Sequence, residues 1–302
     1  MRKPDFFILG APKCGTTALA QWLSSHPDVF MSPIKEPHHF NTDMRHRGIV
    51  ERADYEALFR EAGPHHRAVG EASIWYLMSD AAVENIEAYA DRPPRYIVCL
   101  RNPVDMAYSL HGQKIYTGTE FVQEFETAWA EADARRAVWE TQKSMTDPRT
   151  LIYPDACALG RQVARLLARI PRERVLFILQ DDLAADGRAE FVRVQRFLDL
   201  PVDDSIALPV VNAARRRRSA WLRQVILRLG RIRAALGIKG GFGLLRKIDH
   251  LNEVPNTRPP LTPALRDELT LYFQDEVALL EQLLDHDLTA WKSGAQGHEK
   301  AS

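Results

Sequence analysis

The segment 10–17 near the N-terminus has the composition of a loop that binds phosphate. Its chemically useful positions are Gly10, Lys13, Gly15, Thr16 and Thr17. The glycines allow a backbone to approach an oxyanion closely, the lysine adds a positive charge, and the threonines add hydroxyl donors. A helix that starts here directs its unpaired N–H groups and its dipole at the same point. We therefore predict a phosphate site; the alternative is a glycine turn capped by threonine.

The loop differs from the Walker A motif of ATP and GTP hydrolases. Gly10 and Gly15 have the Walker spacing, but Thr16 stands where that motif requires lysine, and the lysine of this loop is at position 13. The pattern therefore disfavours an ordinary P-loop kinase or hydrolase, although a P-loop kinase remains the enzymatic alternative.

A second candidate phosphate site follows the apolar run 96–100. Arg101 comes directly after this run, and Pro103 suits the first turn of a helix, which puts Ser109 about two turns along that helix. An arginine can donate two parallel hydrogen bonds to phosphate, and a serine can add a neutral donor. The local alternative is an ion pair between Arg101 and Asp105. Two phosphate sites on one sheet suit a nucleotide with a second phosphate group.

Together the two segments resemble the sulfotransferases that use 3′-phosphoadenosine 5′-phosphosulfate (PAPS), in particular the bacterial and heparan-sulfate types. The residues 12–17 match the Pro-Lys-x-Gly-Thr-Thr pattern of that family, and Arg-x-Pro followed by Ser109 matches its second signature. The resemblance implies that Lys13, Cys14, Gly15, Thr16 and Thr17 bind the 5′-phosphosulfate. It also implies that Arg101 and Ser109 bind the 3′-phosphate and that 3′-phosphoadenosine 5′-phosphate (PAP) is the product. No metal is expected, because the pair His38 and His39 has no carboxylate or third histidine at ligand spacing nearby.

Five further positions are assigned a role by the same resemblance. Lys35-Glu-Pro-His38 resembles a family segment whose glutamate is the base, so Glu36 is the predicted base and His38 the alternative base. A positioned carboxylate can take the proton that an acceptor hydroxyl loses, and Lys13 can stabilise the leaving oxygen. Without the resemblance, a surface ion pair of Glu36 with Lys35 is the simpler interpretation. Lys35, Glu71 and Ser73 are the candidate substrate-binding residues.

We therefore expect an enzyme that transfers a sulfuryl group in line to a hydroxyl or amine of a small-molecule or glycan acceptor, with a carbohydrate or glycolipid favoured. The non-catalytic alternative is a nucleotide-binding protein that has lost its base. Nucleic acid binding is not expected, because no known module accompanies the basic residues.

The elements that must position these residues alternate along the chain. Short apolar runs at 6–9, 29–31, 96–100 and 175–179 predict strands, and helical spacing at 17–25 and 159–170 predicts helices. This alternation indicates an α/β fold, a P-loop-like three-layer sandwich with a central parallel sheet flanked by helices. One sulfotransferase domain is expected over 1–292, with a final helix near 263–284 and a disordered tail at 293–302.

Composition adds the cellular context. The 302 residues include 40 basic and 40 acidic ones, and the three cysteines have no paired spacing. We expect a reducing, cytoplasmic location, without a disulfide framework or zinc site, and Ala and Arg usage typical of bacteria. Within a predicted basic helical insert or lid at 212–250, residues 215–247 lack any acidic residue. They could form a solvated helix face, a lid over an anionic substrate, or a peripheral contact with a membrane.

Overall fold

A five-stranded parallel sheet forms the centre of the molecule in the computed structural model, which describes residues 2–141, 147–209 and 258–293 and the backbone of 215–217 and 253–255. The strand order is β2-β3-β1-β4-β5. The strands are β1 (Phe6–Gly10), β2 (Val29–Met31), β3 (Ala68–Ala72), β4 (Arg95–Leu100) and β5 (Val175–Leu179). The predicted α/β class with a parallel sheet is confirmed.

Helices cover the sheet. They are α1 (Thr16–Ser24), α2 (Arg52–Ala57), α3 (Ala82–Tyr89), α4 (Pro103–Thr117), α5 (Phe125–Ala130), α6 (Ala132–Val138), α7 (Tyr153–Ala156), α8 (Leu159–Leu167), α9 (Gln180–Ala185), α10 (Gly187–Phe197), α11 (Pro263–Tyr272), α12 (Gln274–Leu284) and α13 (Thr289–Lys292). Short 3₁₀ turns occupy Pro148–Leu151 and Arg172–Arg174. The helix predicted near 263–284 is two helices, because the backbone leaves helical geometry at Phe273.

The sheet is buried on both faces, as a parallel sheet with helices around it requires. Every residue of β1 is buried, and Phe7 packs against Tyr96 of the neighbouring strand and against Phe40. Strand β3 was not predicted, because Ala-Val-Gly-Glu-Ala has no apolar run. Its backbone pairs with β1 and β2, and this pairing decides its conformation over its weak strand propensity.

The order of the strands in the sheet places the ends of three strands side by side at one edge. β1 lies between β3 and β4, so the segments that follow Gly10, Ala72 and Leu100 leave the sheet next to one another. Ligands of open α/β sheets bind at such an edge, where neighbouring connections run in opposite directions.

The predicted insert at 212–250 and the predicted tail at 293–302 are described only in part. Within the predicted helical insert at 212–250, Arg215–Arg217 form a strand that pairs antiparallel with Glu253–Pro255. The rest of that insert and the tail at 294–302 lie outside the described residues. In the part of the chain that the structure describes, no helix is both long and apolar enough to cross a membrane.

Candidate functional site

The loop between β1 and α1 has the backbone geometry of an anion site. Gly15 precedes the first turn of α1 with a φ of 87°, and no side chain caps that helix. The N–H groups of the first turn therefore stay available to a ligand, next to the positive end of the helix dipole. Lys13 also has a positive φ, of 65°, which gives the loop its sharp curvature. Thr16 is buried, and Thr17 is partly exposed at the start of the helix.

Gly10 shows how closely this loop lies against its neighbour. A Cβ atom there would lie 2.6 Å from the carbonyl oxygen of Ile74, and its φ of 140° belongs to glycine. The segment after β3 therefore contacts the phosphate loop through backbone.

Two cations meet at this edge. Arg101 Nη1 lies 3.4 Å from the backbone oxygen of Lys13, to which it donates. Burial, and then the positive charge of Arg101, lower the pKa of Lys13. Two cations brought together in a partly buried place repel each other, and an anion between them removes that cost. Residues that are 88 positions apart thus form one electropositive site.

Cys14 contributes to the loop through its backbone. Its thiol is buried, donates to the backbone oxygen of Pro12 at 3.3 Å and lies 3.9 Å from Met106 Sδ. Burial raises the pKa of the thiol to about 12, so it stays neutral. The predicted ligand contact of Cys14 is thereby limited to its N–H group.

Ser109 is held on α4 as the sequence predicted. Asn102 caps this helix by accepting a hydrogen bond from Val104 N at 2.9 Å, and Pro103 occupies its first turn. Arg258 covers the same helix, because its guanidinium lies 3.9 Å from the centroid of the Tyr108 ring and donates to Tyr108 O at 2.9 Å. Arg258 is thus anchored to the residue that precedes Ser109.

The predicted base stands at the neighbouring strand end. Glu36 N donates to Ala72 O at 2.8 Å, which fixes the segment to the end of β3. Lys35 Nζ donates to Glu36 Oε1, and His38 Nε2 lies 3.6 Å from Glu36 Oε2. Burial acts to raise the pKa of Glu36, but His38 and Lys35 outweigh it and bring the pKa to about 2. Glu36 is therefore ionised at neutral pH and, with 32% of its side chain exposed, accessible to a ligand.

Glu71 and Ser73 lie beneath this segment. Both are fully buried. Ser73 Oγ donates to Glu71 Oε2 at 3.1 Å and accepts from His38 N at 3.1 Å. Burial raises the pKa of Glu71 to about 8, so at neutral pH most of it is a neutral acid. This burial favours a supporting role for the pair over the direct substrate contact that the sequence suggested.

The two adjacent histidines have different surroundings. His38 is fully buried, and in the described part of the chain neither of its ring nitrogens has a hydrogen-bond partner. His39 stacks on Tyr55, with ring centroids 4.4 Å apart, and its Nδ1 lies 3.0 Å from Ile49 O. His38 thus lies beside Glu36, whereas the His39 ring is directed away from Glu36. Among the described residues, no group of three His, Cys, Asp or Glu side chains is arranged to hold a metal ion.

The sequence did not predict two titratable residues near Glu36 and His38, namely His46 and Lys114. The His46 ring lies 4.8 Å from the His38 ring, and burial, His38 and Lys114 lower the pKa of His46. Lys114 lies four residues after the buried Leu110 on α4. The one signal for Lys114 in the sequence is that it lies in line with a buried face of the helix.

Comparison with known proteins was made against families, curated sequences and solved structures. Residues 3–224 match the family model described as a sulfotransferase domain. The crystal structure of a sulfotransferase from Alicyclobacillus acidocaldarius superposes with a TM-score of 0.71 at 26% identity, over 97% of this chain and 100% of that chain.

The curated relatives are longer than the matched segments. Human carbohydrate sulfotransferase 15 is 49% identical over 51 residues, which are 17% of this chain and 9% of the relative. Human bifunctional heparan sulfate N-deacetylase/N-sulfotransferase 2 is 27% identical over 210 residues, 66% of this chain and 22% of the relative. Mouse heparan sulfate glucosamine 3-O-sulfotransferase 3B1 is 26% identical over 200 residues, 65% of this chain and 46% of the relative. Because one family model spans more than half of the chain, the protein belongs to the sulfotransferase domain family.

Proposed function

We propose that the protein transfers a sulfuryl group from PAPS to a hydroxyl or amine of an acceptor, and that the acceptor is a carbohydrate or glycolipid. The observation that carries this proposal is the meeting of Lys13 and Arg101 at the open N-terminus of α1, beside an ionised Glu36. Family membership supports sulfuryl transfer over the P-loop kinase.

The donor is bound by residues from two strand ends. Lys13, Thr16, Thr17 and the N–H groups of Cys14 and Gly15 hold the 5′-phosphosulfate. Arg101 and Ser109 hold the 3′-phosphate. PAPS carries both groups, so a single ligand places negative oxygens beside each of the two cations and reduces their mutual repulsion.

The reaction forms one bond to sulfur and breaks another. The acceptor oxygen or nitrogen attacks sulfur and loses its proton to Glu36. The bond from sulfur to the 5′-phosphate oxygen breaks, and its electron pair stays on that oxygen in PAP. Lys13 stabilises the charge that develops there.

His38 and Lys35 together set the strength of the base. They outweigh burial and bring the pKa of Glu36 to about 2, which favours an ionised but weak base. His38 remains the alternative base, because its Nε2 lies 3.6 Å from the same carboxylate.

The acceptor class is supported by what the relatives are named for. The matched proteins include carbohydrate and heparan sulfate sulfotransferases. A non-catalytic nucleotide-binding protein would have no need for a carboxylate flanked by Lys35 and His38. The cytoplasmic location, the lack of a nucleic acid partner and the membrane contact through 215–247 stay predictions.

Calorimetry with PAP and 5′-AMP tests the donor assignment without knowledge of the acceptor. A bidentate charged contact contributes about 1.5–3 kcal/mol, so the wild type should bind PAP roughly ten- to a hundredfold more tightly than 5′-AMP. Arg101→Ala should remove most of this preference, and Ser109→Ala a smaller part. The control is Arg60→Ala, which changes an exposed arginine just after α2. Equal affinity of the wild type for the two nucleotides would refute the proposal.

A further inference from the structure

Lys114 is a partly buried cation that forms no ion pair with a carboxylate of the described residues. Its Nζ donates to Thr150 Oγ1 at 2.6 Å and lies 5.0 Å from the centroid of the Trp75 ring. In the described part of the chain, Thr150 is its hydrogen-bond partner. An ammonium group has three N–H donors, so the described residues leave two of them for a ligand.

The nearest acidic residues are already paired with arginines. Asp147 accepts hydrogen bonds from Arg149 Nε at 3.0 Å and Nη2 at 2.9 Å. Glu120 accepts from Arg135 Nη1 at 2.6 Å and from Tyr153 Oη at 2.9 Å. Each of these carboxylates therefore has its own arginine, and among the described residues Lys114 has no carboxylate partner.

The ammonium group is also fixed in place. Thr150 Oγ1 donates to Asp147 O at 2.7 Å, so its lone pairs point at Lys114. The Trp75 ring offers its negative face from another side. Burial lowers the pKa of Lys114 to about 8, whereas Asp147, Glu120 and Glu36 act to raise it. A desolvated cation held without a counter-ion is costly, and an anionic ligand would remove that cost.

Lys114 is connected to the segment of the predicted base by contacts and by charge. Glu36 is close enough to affect the pKa of Lys114, and both affect the pKa of His46. Trp75, which lies under the ammonium group, is two residues after Ser73, whose hydroxyl holds His38. The cation thus lies near the segment 36–38 that carries the predicted base, where we place the acceptor.

We propose that Lys114 binds a negatively charged group of the acceptor, a carboxylate or a sulfate, and thereby selects anionic sugars. This inference rests on the proposed function, since it assumes that the acceptor binds next to Glu36. Two N–H donors and a full charge recognise an anionic oxygen group and distinguish it from a neutral hydroxyl.

Three matched probes test the proposal on the PAP-loaded protein: p-nitrophenyl glucuronide, p-nitrophenyl 6-sulfoglucoside and the neutral p-nitrophenyl glucoside. Binding is measured by calorimetry or by NMR titration. We expect at least one anionic probe to bind the wild type about tenfold or more tightly than the glucoside, as charge-assisted hydrogen bonds provide. The anionic probe with the higher affinity shows whether the site prefers a carboxylate or a sulfate.

Variants assign that preference to Lys114. Lys114→Gln should reduce it to less than about threefold, and Lys114→Arg should retain part of it because the charge stays. Lys292→Gln, at a surface lysine paired with Glu281, should change nothing. PAP affinity and the melting temperature, measured on each variant, show that the variant is folded and that the donor site is intact.

The outcomes separate this inference from the proposal on which it rests. The inference is overturned if the wild type binds the glucoside as tightly as the anionic probes, if it binds none of them, or if Lys114→Gln keeps the preference. In all three cases, intact PAP binding leaves the donor assignment in place. Failure of the wild type to bind PAP would overturn both.

Discussion

Replacing Glu71 by glutamine separates the charge of a buried carboxyl group from its shape. Glu71 is fully buried at the end of β3, and burial raises its pKa from 4.5 to about 8. Glutamine has nearly the same volume, and its amide oxygen can still accept the hydrogen bond from Ser73. The substitution therefore removes the titration and little else.

The expected effect depends on pH, and its sign follows from the direction of the pKa shift. In the unfolded chain the carboxyl group ionises above about pH 4.5, whereas in the folded chain it holds its proton until about pH 8. The stability contributed by the neutral acid is fully present below the unfolded pKa and is lost as the pH rises toward the folded pKa. Between pH 5 and pH 8 the wild type should lose about 3.5 kcal/mol relative to Glu71→Gln, with a slope that approaches about 1.4 kcal/mol per pH unit midway between the two pKa values.

Urea unfolding at pH 5, 7 and 8, followed by tryptophan fluorescence and by circular dichroism, measures this difference. The variant should equal the wild type within about 1 kcal/mol at pH 5 and exceed it at pH 8. Other groups titrate in this range, but they do so in both proteins and cancel. Glu61→Gln, at an exposed glutamate, is the control and should show no trend with pH. A difference between wild type and Glu71→Gln that is the same at pH 5 and pH 8 would refute the assignment of a buried neutral acid.

Three further predictions concern the site. Gly15→Ala forces a left-handed backbone at a φ of 87°, and its methyl group would lie 2.8 Å from Leu183 Cδ2. Since that backbone costs other residues about 1–2 kcal/mol, PAP affinity should fall about tenfold by calorimetry, whereas Gly118→Ala at the end of α4 should leave it unchanged. Glu36→Gln should slow transfer from radiolabelled PAPS to a panel of sugars by at least about a hundredfold, with PAP binding intact. Full turnover of that variant, together with loss of turnover in His38→Ala, would assign the base to His38. The wild-type preference for anionic probes should decline above pH 8, because Lys114 loses its proton with a pKa of about 8 and the Lys114→Arg variant does not.

The sequence predicts the residues that we propose for the donor better than those that we propose for the acceptor. Apolar runs identify β1 and β4, and strand adjacency then brings Lys13 and Arg101 together. Each of these signals is local or follows from a rule of sheet topology, so it can be read from the chain.

Contacts between distant parts of the chain decide the features of the site that the sequence does not predict. Glu71 and Ser73 are polar residues that sequence reasoning places near a ligand, yet they are buried, because pairing with β1 sets β3 inside the sheet. Cys14 turns its thiol toward Met106, a contact between segments 92 residues apart. The charge balance around Lys114 depends on which arginine each acid binds, and this can be read only from the folded chain.

The close contact of the phosphate loop with the segment after β3 has a consequence for engineering. Gly10 lies against Ile74 O, Ser73 N donates to Ile8 O at 3.0 Å, and Leu77 N donates to Leu9 O at 2.9 Å. Replacing residues 73–77 as a block to change the acceptor would therefore also disturb the proposed donor site, because the phosphate loop is hydrogen-bonded to the same backbone. The second half of α4 and the segment 41–49 have no such bond to β1 among the described residues. Libraries aimed at new acceptors should begin with these two stretches, because substitutions there leave the contacts between β1 and residues 73–77 in place.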